Sequence, residues 1–179
     1  MIQFLWPLDK TFSQKIYDKK ISKIDFNNLT CASCGLAGHC GAHGTYKRSI
    51  ITGAEKETAK IQRVKCRHCG KTHALLPTCI VPYSQIVLAD HIKILRFHIK
   101  RASANTISKS NSYKKSIIGV TNIQYIIKQF KKYWKKRLLA LALKLPANID
   151  QFVKSCFDKY KRQFMQIKRT PNVFYFLNN

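Results

Sequence analysis

The phrase Cys-x-x-Cys-Gly occurs twice in this chain and limits its fold more than any other feature of the sequence. The first copy begins at Cys31 and the second at Cys66. A two-residue gap lets both thiolates of a tight turn point at one ion, and the glycine lets the backbone turn beneath the sulfur atoms. We call each copy a knuckle. Together the knuckles predict four metal ligands: Cys31, Cys34, Cys66 and Cys69.

Four thiolates around one ion favour zinc in a closed tetrahedral shell. Such a shell has no position for water or substrate, so the sequence predicts one structural Zn²⁺ and no catalytic metal. The alternative interpretation, a pair of redox dithiols or unrelated thiols, does not account for the glycine after both pairs. A second metal would need four further groups to converge near the knuckles. The candidates, whose role stays open, are His39, Cys40, His43 and His73.

The charge of the chain is strongly unbalanced. Its 179 residues include 33 lysines and arginines against 8 acidic residues, a formal net charge of +25. Self-repulsion of this size indicates a polyanionic partner, and nucleic acid is favoured over an anionic membrane surface. The sequence has neither an apolar run of about 18 residues nor the features of a signal peptide. An odd count of seven cysteines, four of them at metal-type spacing, fits a reducing compartment better than a disulfide framework, so we expect a cytoplasmic protein without a membrane partner.

Enzymatic chemistry is disfavoured by the scarcity of carboxylates. After Glu57 the acidic residues are Asp90, Asp150 and Asp158, too few for strand transfer by two metal ions. The His-x-Glu signature of zinc deaminases and a glycine-rich phosphate loop are both missing from the sequence. We therefore predict a binding protein with no catalytic residues and no small-molecule substrate.

The predicted fold class is α+β, a small antiparallel zinc ribbon followed by an all-helical, helix-turn-helix-like domain. Such a ribbon is too thin to fold without its metal. Residues 1–30 are expected to form an irregular lead-in with one short helix, before a zinc ribbon over 31–82. The predicted strands of the ribbon are 46–52, 61–65 and 72–76, with residues 54–57 as a polar connection.

The sequence of the second half of the chain predicts helices. Residues 83–145 form the expected DNA-binding domain, and residues 146–179 a C-terminal helix and tail. Ser84 is a plausible N-cap for a helix that runs to about Lys100. The Ser-rich stretch 101–116 indicates a loop or a weak helix. The last helix starts near Ile149, and its predicted inward side chains are Phe152, Val153, Cys156, Tyr160 and Phe164.

The helix predicted over 121–137 is the leading nucleic-acid element. Thr121 and Gln124 fit a capping box, and the stretch 119–121 resembles the tight turn of a helix-turn-helix. The predicted base readers are Asn122, Gln124, Tyr125 and Lys128, because amides suit adenine and lysine suits guanine or phosphate. The predicted phosphate contacts are Lys132, Lys135, Lys136 and Arg137. The alternative is a packing helix with a solvated basic face.

The ribbon also resembles a known protein family. The resemblance depends on the first knuckle, the stretch His43-Gly44-Thr45-Tyr46-Lys47-Arg48 and the basic stretch 63–77 around the second knuckle. These resemble the N-terminal zinc ribbons of bacterial insertion-sequence transposases, in which a helix-turn-helix follows and the pair recognises DNA ends. The resemblance implies phosphate contacts by Lys47, Arg48 and Arg67. The stretches 75–77, 80–83, 134–138 and 164–169 make the whole chain look like an uncharacterised bacterial domain-of-unknown-function family associated with such elements.

The transposases continue into a carboxylate catalytic domain, and this sequence does not. We therefore expect a zinc-dependent protein that binds double-stranded DNA and is linked to a transposable element, as an accessory protein, a regulator or a remnant of a longer transposase. One alternative is an RNA- or ribosome-associated zinc ribbon protein that uses charge and stacking without base readout. A further alternative is an adaptor whose ribbon docks on a transposase or an RNA polymerase.

Overall fold

The computed structural model describes residues 1–7, 11–141, 149–151 and 154–155 and has a mixed α+β fold, with 133–141 described as backbone. One helix lies between the first two strands of a four-stranded sheet, and the other helices follow the last strand. The strands are β1 (Ile2–Phe4), β2 (Cys40–Thr52), β3 (Glu55–Cys66) and β4 (Thr72–Pro77). The helices are α1 (Gln14–Ile21), α2 (Leu88–Ile99), α3 (Ala104–Lys109) and α4 (Val120–Leu141), with a 3₁₀ turn at Phe26–Asn28. No helix in these described ranges is long and apolar enough to cross a membrane.

The sheet has the strand order β1-β4-β3-β2. The antiparallel β2–β3 hairpin is longer than predicted, because Thr52 pairs with Glu55 and the chain turns within Gly53 and Ala54 alone. Gly53 has a φ of 58°, a conformation that glycine adopts without strain. The expected polar connection over 54–57 is therefore largely part of β3, and the predicted third strand is confirmed as β4.

The N-terminal segment is more ordered than the irregular lead-in that we expected. Strand β1 pairs in parallel with β4, with Ile2 opposite Leu75 and Phe4 opposite Pro77. Ile2 and Phe4 are buried in the same apolar core as the cysteines Cys31 and Cys66. The first residues of the chain therefore complete the sheet that carries the second knuckle.

Side chains of α1 cover β3 at Lys60 and Gln62, just outside the stretch of β3 that pairs with β4. The Gln14 amide accepts a hydrogen bond from the Lys60 N–H (2.9 Å) and donates one to the Lys60 carbonyl (3.0 Å). The Tyr17 hydroxyl accepts from the Gln62 N–H and donates to the Leu75 carbonyl, both at 2.9 Å. These contacts satisfy strand-edge groups that would otherwise be free to pair with another chain.

The helical half differs from the prediction at its helix starts. Helix α2 begins at Leu88, because Ile86 and Val87 form extended bridges with Ile51 and Ile80. Ser84 therefore does not cap α2; its hydroxyl accepts from the Ile86 N–H at 3.1 Å. The stretch predicted as a loop or a weak helix contains the short helix α3, whose N-cap Ser103 accepts from the Thr106 N–H.

Helix α4 starts one residue earlier than predicted, and its first turn contradicts the predicted capping box. The Ile123 N–H donates to the Gly119 carbonyl at 3.2 Å, so Thr121 already lies inside the helix. Residues 110–119 separate α3 from α4, a longer connection than the three- or four-residue turn of a helix-turn-helix. The stretch 119–121 is therefore a helix start and not the tight turn that we predicted.

The C-terminal part of the chain is described at a few positions. Residues 149–151 and 154–155 are helical, as predicted for the last helix. Ile149 is buried in the helical core, and the Asp150 carboxylate pairs with the Arg96 guanidinium at 2.5 Å. The predicted inward side chains Phe152, Val153, Cys156, Tyr160 and Phe164 lie outside the described residues.

The tip of the β2–β3 hairpin is anchored in the helical half. The Gly53 N–H donates to the Asp90 carboxylate (2.9 Å), and the Gly53 carbonyl accepts from the Ser116 hydroxyl (2.7 Å). Ile51 belongs to the apolar core of the helices, and Ile50 beside it to the core of the sheet. The hairpin therefore connects the end of the protein that carries the two knuckles to α2 and to the segment before α4.

Substitutions at Asp90 test this anchoring. Asp90→Ala removes the acceptor of the Gly53 N–H and should lower the free energy of unfolding by about 1 to 2 kcal/mol. Asp90→Asn keeps an oxygen for that bond and removes a carboxylate whose pKa is raised by burial, so we expect a smaller loss. Urea unfolding of both variants measures the difference. Equal losses in the two variants would show that the hydrogen bond does not anchor the tip.

Candidate metal centre and basic surfaces

The two knuckles have the same backbone structure. The first connects the segment after the 3₁₀ turn to β2, and the second connects β3 to β4. In each, the glycine N–H donates to the carbonyl of the first cysteine, Gly35 to Cys31 at 3.0 Å and Gly70 to Cys66 at 2.9 Å. Gly35 and Gly70 have φ values of 83° and 70°, which explains why both knuckles carry glycine. The repeated phrase thus encodes one local geometry twice.

The sheet brings the two knuckles face to face. The Sγ atoms of Cys31, Cys34, Cys66 and Cys69 all lie within 4.8 Å of one another. Sγ of Cys31 is 3.6 Å from Sγ of Cys69, and Sγ of Cys34 is 3.8 Å from Sγ of Cys66. A tetrahedral ion with metal–sulfur bonds of about 2.3 Å requires sulfur–sulfur separations of about 3.8 Å. The four cysteines can therefore hold one metal ion, and the donor set fits.

Backbone groups near the second knuckle favour the thiolate form that a metal needs. Hydrogen bonds from the backbone of Cys69 and of His68 lower the pKa of the Cys66 thiol to about 7. Cys31 and Cys66 are buried, whereas Cys34 and Cys69 are partly exposed. One side of the cluster thus faces the sheet core and the other is closer to solvent.

His73 contacts the cluster from outside, a role that the sequence left open. Its Nε2 lies 3.2 Å from Sγ of Cys31, and its Nδ1 lies 2.9 Å from the Met1 amino group. Burial, and then the positive amino group, lower the pKa of His73 to about 4, so the imidazole is neutral. Because the ammonium donates to Nδ1, the ring proton is on Nε2 and points to the sulfur. His73 therefore donates a hydrogen bond to the sulfur of Cys31, one of the four candidate ligands.

The other three candidates for a second metal have different environments. Cys40 is buried and lies opposite Cys66 in the hairpin; burial, and then neighbouring thiols, raise its pKa to about 11. His39 and His43 are exposed. Within the part of the chain that the structure describes, the only metal-type cluster is that of the four knuckle cysteines.

The predicted ribbon contacts have different surroundings. Lys47 is exposed and lies directly opposite Lys60. The sequence alone does not indicate Lys60, because only the strand register pairs the two lysines. Arg67 is exposed, and its Nη2 donates to the Asn27 side chain at 3.2 Å. The Nη2 of Arg48 donates to the carbonyls of Val81 and Ser84, at 2.8 and 2.9 Å. Arg48 therefore holds the segment after β4 against β2.

Along its first half, helix α4 has one face buried in the helical core and one face exposed. Ile123, Ile126 and Phe130 are buried in the helical core. The predicted readers on the other face are Gln124, Tyr125 and Lys128, all exposed, with Asn122 half-buried. Lys132 is exposed as well, and the side chains of Lys135, Lys136 and Arg137 lie outside the described residues.

Comparison with known proteins gives one match. The model of a domain of unknown function (DUF6431) matches residues 31–114, from the first knuckle to just beyond α3. Over this region the chain is similar to that domain, which agrees with the predicted likeness to an uncharacterised domain family. No curated protein and no solved structure matches the chain. The likeness to transposase ribbons stays a prediction from the sequence.

Proposed function

We propose that this protein binds double-stranded DNA through α4 and that one structural zinc ion stabilises its sheet. The observation that carries the proposal is the composition of α4. This helix of 22 residues contains six lysines and arginines and no acidic residue. A helix that only needs to stay soluble mixes charges of both signs on its exposed face.

Charge repulsion within α4 supports a polyanionic partner. Lys128 and Lys132 are both exposed and are four residues apart, a spacing at which like charges destabilise a helix by about 0.2 to 0.5 kcal/mol. Lys131 and Lys135 have the same spacing. A phosphate backbone relieves this repulsion and releases its own counterions, so binding and helix stability favour each other.

The ribbon has a second basic surface on which neighbouring positive charges repel each other. Lys47 and Lys60 are cross-strand neighbours in the β2–β3 hairpin, and like charges directly opposite each other destabilise a sheet. Arg67, in the second knuckle, adds an exposed cation close to the metal ligands. We infer that the ribbon contributes phosphate contacts that position the protein, and that α4 supplies the contacts to base edges.

The dimensions of α4 favour duplex DNA over duplex RNA. A helix of this length extends for about 33 Å and fits the major groove of B-DNA, which is about 12 Å wide. The major groove of A-form RNA is too deep and narrow for side chains to read. One observation favours RNA with unpaired bases: Tyr125 is 52% exposed on the same face and could stack on such a base.

Zinc is the metal that best suits the cluster. Four thiolates at tetrahedral separations form a closed shell, so the ion would stabilise the fold and take no part in a reaction. We accordingly propose a binding protein and not an enzyme. An accessory role beside a mobile element rests on the sequence resemblance of the ribbon, and an adaptor role on a transposase or polymerase is the remaining alternative.

Salt-dependent binding tests this function. We expect the purified protein to bind duplex DNA and to lose about three orders of magnitude in affinity between about 50 and 200 mM salt. Fluorescence anisotropy with a DNA duplex and an RNA hairpin of equal length measures the affinity for each nucleic acid under the same conditions. Equal and weak affinity for the two would exclude duplex recognition, and tighter binding of the hairpin would favour RNA. A partner protein that co-purifies after nuclease treatment would instead favour the adaptor.

A further inference from the structure

A basic cleft lies where the end of α2, the start of α3 and the exposed side of α4 meet. Its volume is about 440 Å³, and no acidic residue is among the described residues that line it. The side chains with polar groups around it are His98, Arg101, Ser103, Gln124, Lys128 and Lys131. Three of these carry a positive charge, so the cleft concentrates a field that attracts an anion.

The backbone at Arg101 is unusual for an arginine. Helix α2 ends in a Schellman motif, in which the Ala102 N–H donates to the Phe97 carbonyl and the Arg101 N–H to the His98 carbonyl, at 3.1 and 2.9 Å. The residue at the Arg101 position is normally glycine, because it is left-handed; Arg101 has a φ of 66°. Among the described residues, the only other non-glycine with a positive φ is Tyr83. The strained backbone indicates that the Arg101 side chain has a use of its own.

The groups that face Arg101 across the cleft do not neutralise it. Lys128 and Lys131 project from α4 and are exposed, as is Arg101 itself. Burial, and then the charge of Lys131, lower the pKa of His98, which shows that this ring is close to the same field. Three cations, one just after α2 and two on α4, thus surround one space, and no carboxylate is among the described residues of its lining.

We propose that this cleft holds a phosphodiester group of the bound duplex, contacted by Arg101, Lys128 and Lys131. The inference rests on the proposed function, since it adds a phosphate position to the α4 interface. The planar guanidinium of Arg101 can donate two parallel hydrogen bonds to one phosphate, whereas a lysine binds phosphate as a point charge. Gln124, a predicted base reader, lies on the rim of the same cleft. A phosphate held here fixes the rotation and depth of α4 in the groove.

Arg101→Gly separates a role in binding from a role in folding. Glycine suits the left-handed position, so the variant should melt at the same temperature as the wild type or higher. We expect its affinity for duplex DNA to fall by about an order of magnitude at about 0.1 M salt, and the salt slope to shrink by about 0.9. Lys131→Ala, on an exposed helix position, should give the same change in slope.

Two control variants make the test specific. Tyr83→Gly relieves the same kind of backbone strain outside the cleft, and Lys15→Ala removes one exposed cation from α1. Both should keep the wild-type salt slope. An unchanged slope in Arg101→Gly and Lys131→Ala, or an equal change in Lys15→Ala, would overturn the phosphate position while wild-type binding still supports the proposed function. Failure of the wild-type protein to bind the duplex would overturn both.

Discussion

Cys66→Ser will purify without zinc and without a cooperative thermal transition. Binding of a structural zinc ion by thiolates contributes about 10 to 16 kcal/mol to the folding of small zinc domains, whereas a whole domain is stable by about 5 to 15 kcal/mol. Removing one of four ligands opens the shell and weakens zinc binding, and the free energy that is lost is comparable to the whole stability of a domain. The effect should extend beyond the knuckles, because Cys66 shares its core with β1 and α1. Metal analysis and circular dichroism measure the two losses.

Cys40→Ala is the matched control for this variant. Cys40 is as buried as Cys66 and lies opposite it in the hairpin, but its sulfur is not one of the four in the cluster. We expect Cys40→Ala to keep one zinc ion per chain and a cooperative transition at a moderately lower temperature. Zinc retained in Cys66→Ser, or zinc lost from Cys40→Ala, would show that the ligand set is different.

Replacing Lys128, Lys132 and Lys135 together with alanine will weaken DNA binding by two to three orders of magnitude at about 0.1 M salt. Each lost phosphate contact removes about 0.9 from the salt slope, so the slope should decrease by about 2.7. Thermal stability should not fall, because alanine favours helix and the repulsion between neighbouring lysines disappears. Anisotropy titrations over a range of salt concentrations, with melting curves on the same samples, measure both effects.

A second triple variant controls for net charge. Lys15, Lys56 and Lys114 are exposed lysines on α1, on β3 and in the connection before α4. Their replacement with alanine changes the net charge by the same amount and should leave most of the salt slope intact. An equal decrease in both triple variants would indicate binding through the overall positive field, and an unchanged slope in the α4 variant would place the interface elsewhere.

The four-cysteine cluster could be predicted because each knuckle is a local structure. The spacing of two cysteines and a glycine fixes the turn, and the structure confirms that the four cysteines come together. The two faces of α4 follow for the same reason, since helical periodicity depends only on neighbours along the chain. Strand β1 could not be predicted, because its three residues show no period and its partner Leu75 is far away in sequence.

The remaining differences arise where tertiary contacts override a local signal. Ser84 has the residue type of a helix cap, but bridges to the hairpin keep the following residues extended. Arg48 resembles a free surface cation in the sequence and instead donates to two backbone carbonyls. His73 has no ligand spacing, and only the folded sheet brings its Nε2 to Sγ of Cys31. Arg101 could not be singled out without its backbone conformation.

X-ray absorption at the zinc edge of the purified wild-type protein tests the metal centre most directly. We expect one zinc ion per chain with four sulfur neighbours at about 2.3 Å and no nitrogen or oxygen neighbour. This shell corresponds to Cys31, Cys34, Cys66 and Cys69, with His73 outside it. A shell of three sulfur atoms and one nitrogen, or a protein that folds fully without zinc, would contradict a closed four-cysteine site as the centre that stabilises this fold.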